Sequence, residues 1–126
     1  MERKDYEMVT KLNEIVDEYK EIFNEIFKLN AEITKVKNSF NRFVNEYNDP
    51  LSIDFKVLDN RSNEMKKSID DLLQKKDEYD NKLKELRLEE LTLLTEVKKM
   101  KNSDAILAKV FSDNQVDLNK KMNINE

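Results

Sequence analysis

The ionisable side chains of this sequence are mainly carboxylates and amines: 27 Asp and Glu stand against 23 Lys and Arg, with no histidine and no cysteine. The densest acidic group is Glu14, Asp17, Glu18, Glu21 and Glu25. Carboxylates gathered in this way could hold a cation or share a proton. At helical spacing, however, they read as the solvated face of a helix. Asp77-Glu78-Tyr79-Asp80 lacks both the alternate spacing and the central glycine of a calcium-binding loop. General acid–base and triad chemistry most often use histidine, and no serine lies in a strand–turn–helix elbow. Phosphate-cradling loops need glycine, and di-iron bundles need a Glu-x-x-His pair; the chain has neither residue. The expectation is a protein that is not an enzyme, with no cofactor and no metal site.

The basic residues pose a different question. Lys66, Lys67, Lys75, Lys76, Lys82, Lys84, Arg87, Lys98, Lys99 and Lys101 would suit a phosphate-tracking surface if they shared one face. They alternate instead with Asp70, Asp71, Asp77, Glu78, Asp80, Glu85 and Glu89, which favours helical i,i+4 pairing and solubility. Nucleic acid is therefore not expected as the main partner, and a nucleic-acid-associated helical accessory protein is kept as an alternative.

The elements that carry these residues follow from composition. Charged residues make up 40% of the 126-residue chain and apolar ones 38%; glycine is absent and Pro50 is the single proline. Tight turns draw on positive-φ residues, whereas long helices need none. Every seventh residue from Leu12 is apolar or aromatic: Leu12, Tyr19, Ile26, Ile33, Phe40, Tyr47. A second series from Met8 gives Met8, Ile15, Ile22, Leu29, Val36 and Phe43. Together they form an unbroken a/d seam, which predicts a first helix over about 3–47. Val9, Val16, Phe23 and Val44 widen the seam at e, on one side only. That widening predicts contact with more than one neighbouring helix.

Beyond Pro50 a second register begins, with d residues Leu51, Leu58, Met65, Leu72, Tyr79, Leu86, Leu93 and Met100. Its a series alternates apolar residues with Ser62, Lys76 and Glu90. Polar a positions can set register at some cost in stability; the other reading of Lys76 and Glu90 is that their long side chains reach out from a loose seam. Asn48, Asp49 and Pro50 suit a helix stop. Over 51–58 apolar and polar residues alternate as in a strand, so 49–59 reads as an extended connector with Asp59, Asn60 or Ser62 capping the next helix. A helix running on from Pro50 is the competing reading.

Two arms of nearly equal length around a central break predict an antiparallel hairpin, although a kinked rod dimerising in parallel would show the same heptads. In the hairpin, partner numbers sum to about 108, which places Lys76 near Glu32 and Glu90 near Tyr19 and Lys20. After Lys101, Asn102-Ser103-Asp104 suits a cap for a short helix from Ala105 to Phe111, and 112–126 reads as a frayed or partner-ordered tail.

The expected organisation is all-α: a long coiled-coil helical hairpin of two helices of about 42–45 residues, with a short extended connector and a short C-terminal helix. The first helix occupies 1–48, the connector 49–59, the second helix 60–101, and the short helix and flexible tail 102–126. In outline, helix, extended connector and helix resemble the small prefoldin-type chaperone subunits. That resemblance implies an oligomeric platform built from a β-hairpin between two arms; this chain has one strand-like stretch, no glycine and no matching motif.

The function expected from the residues is that of a structural or assembly protein: a subunit or adaptor of a larger complex, such as a tether, a cytoskeletal-type rod or a viral scaffold or virion component. Its partners would be proteins, self or other, met along Val9, Val16, Phe23 and Val44 beside Leu12, Tyr19, Ile26, Ile33 and Phe40. Lys76 and Glu90 are the candidate register-setting pair of polar sites. Met1-Glu2-Arg3-Lys4-Asp5 leads into no apolar signal region, and no run is long enough to span a bilayer. An intracellular, soluble setting without membrane insertion is expected.

Overall fold

A computed structural model describes residues 1–46 and 54–124, with side chains as far as 115. It is an all-α helical hairpin of two long helices and a shorter third. Helix α1 spans Arg3–Glu46 (44 residues), α2 spans Phe55–Lys98 (44 residues) and α3 spans Ser103–Ile124 (22 residues). Among the described residues there is no strand and no positive φ angle, in keeping with a chain that has no glycine.

Each helix start has a polar cause. At α1 the Glu2 carbonyl accepts from the Tyr6 and Asp5 amides, and the Asp5 carboxylate reaches back to accept from the Glu2 amide at 2.8 Å. This is the side-chain back-bond of a capping box, with the acid at the third helical position. At α2 the cap is Asp54, whose carboxylate accepts from the Lys56 amide at 2.9 Å and whose carbonyl accepts from Leu58. At α3 the Asn102 carbonyl accepts from the Ile106 amide.

The caps correct the expected boundaries. Residues 55–59, assigned to the connector, are the first turns of α2, and the cap is Asp54 rather than Asp59, Asn60 or Ser62. The alternation over 51–58 misled because Phe55 and Leu58 are also an a/d pair; once Asp54 satisfies the first amides, helix periodicity prevails. The rest of the connector, and Asn48 to Pro50 with it, lies outside the described residues. Helix α2 ends at Lys98, where the Lys99 and Met100 amides turn back to the Glu96 and Val97 carbonyls. Helix α3 runs well past Phe111, through most of the stretch read as a tail. No glycine or proline follows Ser103, so nothing local stops it.

The chain divides into two compact units, Met1–Ile22 with Lys82–Glu126, and Phe23–Asn81. Each unit takes part of α1 and part of α2, because α2 returns alongside α1. In the first unit Met8, Val9, Leu12, Val97 and Ile106 form one cluster, with Leu93, Leu94, Met100 and Val110 packed around it. Val97 and Ile106 are 0% exposed. Three helices surround this core, so each supplies a wall that the other two cannot.

Among the described residues, the second unit is a helix pair without a third. Its seam residues Ile26, Ile33, Val36, Phe40, Phe43, Met65, Ile69 and Leu72 are half-buried, and among the described residues Leu29 alone is fully buried there. The Arg61 guanidinium lies 4.8 Å above the Phe43 ring, and Phe43 packs against Phe40 with centroids 6.5 Å apart. The cation covers aromatic surface that no third helix covers.

Candidate functional site: an open apolar cleft on a three-helix unit

Helix α3 is held to α1 by polar contacts between residues about a hundred positions apart. Asn102 donates to the Asp5 carboxylate at 2.9 Å, Asn13 donates to Asp113 at 2.9 Å, and Asn114 donates to the Asn13 side-chain carbonyl at 3.1 Å. Asn114 also donates to the Val110 carbonyl, and Lys109 pairs with Asp113 at 2.7 Å. The hydrogen bond from Asn102, then that from the Glu2 amide, hold Asp5 below its ordinary value of 3.8. Asp113 is lowered by Lys109 and then by Asn13.

With α3 anchored in this way, an open cleft of about 360 Å³ forms beside it, lined by Leu12, Ile15, Val16, Tyr19, Glu90, Leu94, Leu107, Val110, Phe111 and Asn114. All of these belong to the first unit. The lining is mainly apolar, and within it Tyr19 donates to Glu90 at 2.6 Å. Arg87 donates to the other Glu90 oxygen at 2.9 Å. Burial raises the Tyr19 pKa, and the Glu90 carboxylate raises it further. Two of the apolar lining residues stay exposed, Phe111 at 67% and Leu107 at 38%. A mainly apolar lining with few polar groups suits binding, while catalysis would need a nucleophile or base poised near a reacting atom. Among the described residues no group of three or more acidic side chains is arranged to hold a metal ion, and no helix is long and apolar enough to cross a membrane.

The residues singled out from the heptads fall into different places. Leu12 and Val9 are buried in the three-helix core, and Val16 lines the cleft. In the second unit Ile26, Ile33, Phe40 and Val44 are half-buried and Phe23 is 56% exposed. The one-sided e widening of α1 is answered within the first unit by α3, which covers Val9. Of the two polar a residues, Glu90 meets Tyr19 as the hairpin register implies, their numbers summing to one more than the expected total of about 108. Lys76 is half-buried and Glu32 exposed, and no ion pair joins them.

Sequence reasoning passed over the cleft itself. Leu94, which lines it, sits outside the a/d series, and an apolar residue there was the available signal. The tethering asparagines Asn13, Asn102 and Asn114 offered no such signal, because nothing local in a sequence pairs residues so far apart. Comparison with protein-family models, curated proteins and solved structures finds no match to this chain.

Proposed function

We propose that this chain is a non-enzymatic helical subunit or adaptor that works by docking open helix faces onto other proteins of a larger assembly. The observation that carries the reading is the cleft beside α3, where Leu107 and Phe111 stay exposed in a lining completed by Leu12, Ile15, Val16, Leu94 and Val110. Contiguous exposed apolar surface on a chain this rich in charge marks an interaction site. The half-buried seam of the second unit adds a coiled-coil-type face that another helix would close.

Val9 is occupied within the chain, so the contact surface in this proposal centres on Val16 and the cleft, with Phe23 and Val44 as positions on the second unit. No catalytic step is assigned. A tether, a cytoskeletal-type rod and a viral scaffold all use subunits of this kind. Cross-linking of the full chain in its native cells, with mass spectrometry of the linked peptides, tests the reading. Links from lysines flanking the cleft, such as Lys84, Lys98 and Lys109, to one recurrent protein or to a second copy are expected. A monomer by light scattering with no recurrent cross-linked protein would overturn it.

A further inference from the structure

In a chain of which 40% is charged, the lining of the cleft beside α3 carries no charge that is not already engaged. Its one charged residue, Glu90, is held by Tyr19 at 2.6 Å and by Arg87 at 2.9 Å. On α3 the only charges between Ala105 and Gln115 are Lys109 and Asp113, which pair with each other at 2.7 Å. The same face supplies both a hollow and side chains that could fill one. Leu12, Ile15, Val16, Leu94 and Val110 wall a space of about 360 Å³, and Leu107 and Phe111 line it while staying exposed.

We infer that this cleft receives Leu107 and Phe111 of a second copy of the chain, across a two-fold axis that seats the same two residues in both clefts. The inference rests on the docking reading above and names the partner. A two-fold contact sets one patch against itself, so the patch must carry both the knob and the hole, and this face carries both. It also sets like charge against like, and two copies of net charge −4 repel wherever their charges are left unmatched. The acidic ladder of Glu14, Asp17, Glu18 and Glu21 would meet its own copy at that cost, whereas the cleft face would not. An apolar centre depleted of charge is the composition of homodimer interfaces. An acidic or basic peptide chosen by its charge finds no opposite charge standing free in the lining. Phe27 and Phe55 are more exposed, at 76% and 82%, but they belong to the second unit and line no part of this cleft.

Sedimentation equilibrium of the full chain over a concentration series tests the inference, and a monomer–dimer equilibrium is expected. Leu107→Asp and Phe111→Asp should each raise its dissociation constant about tenfold or more, while Phe27→Asp leaves it unchanged. Far-ultraviolet circular dichroism checks that the variants fold. A benzophenone side chain at position 111 keeps an apolar aromatic there and gives a second readout that does not depend on the aspartate variants. Irradiated in a mixture of light and heavy-isotope copies, it should link to Val16 or Leu94 of the other copy.

A chain that stays monomeric at every concentration would overturn the inference. So would a dimer indifferent to both cleft substitutions, a dimer dissolved by Phe27→Asp, or photolinks confined to a single copy. Binding to phosphatidylcholine vesicles that is lost in both cleft variants would put a lipid surface in the place of the second copy and overturn it too. A monomer that cross-links in cells to one recurrent foreign protein would refute the second copy and leave the docking reading standing. A monomer with no cross-linked protein would remove both.

Discussion

Tyr19 and Glu90 illustrate how a polar residue at a seam position becomes an asset once its partner is present. A phenol donating to a carboxylate at 2.6 Å is a charge-assisted bond, stronger than a neutral one. A double-mutant cycle with Tyr19→Phe and Glu90→Gln should give a coupling of about 1–2 kcal/mol by denaturant unfolding. The same cycle for charge reversal at Lys76 and Glu32 should give none beyond about 0.5 kcal/mol. Ile106 is fully buried where three helices meet, so Ile106→Ala should cost about 2–5 kcal/mol in the same assay. Asp5 and Asp113 link stability to acid. Their folded values lie below the ordinary 3.8, so their contribution is present above that value and is lost as pH falls through the lowered folded value. Circular dichroism melts from neutral pH down to about pH 2 should show this loss, and Asp5→Asn with Asp113→Asn should flatten it while lowering stability at neutral pH.

Helix α3 is the element whose role departs most from its sequence. Its apolar residues do not sustain the heptads of α1, and a helix of 22 residues has little stability alone. What holds it is the buried Ile106 and the asparagine contacts to Asp5, Asn13 and Asp113. In return it closes the core over Val9 and Leu12. Truncation after Lys101 should therefore lose more ellipticity at 222 nm than the removed residues account for, because α1 and α2 lose a wall of their shared core. A loss limited to the contribution of α3 itself would show that the first unit stands without it.

For the molecule as a whole, the two units are unequal in what they bury. Among the described residues, seven of the eight buried apolar residues belong to the first unit. Opening free energies follow buried contacts, so amide exchange should be slower over residues 8–15 and 93–107 than over residues 26–43 and 58–72. Equal protection in both would contradict this ranking. The amino-acid sequence by itself determined the all-α class and the two long helices, because helix periodicity and the lack of glycine act locally, one turn at a time; their antiparallel return it left beside a kinked parallel rod with the same heptads. It also placed Glu90 beside Tyr19, since a hairpin leaves few registers. Only tertiary structure decided that Val9 is covered while Phe23 is exposed, and that Leu12, Leu94, Leu107 and Phe111 line one cleft. Those outcomes depend on contacts between residues as far apart as Asn13 and Asn114, and no repeat in the chain carries the signal of such a pair.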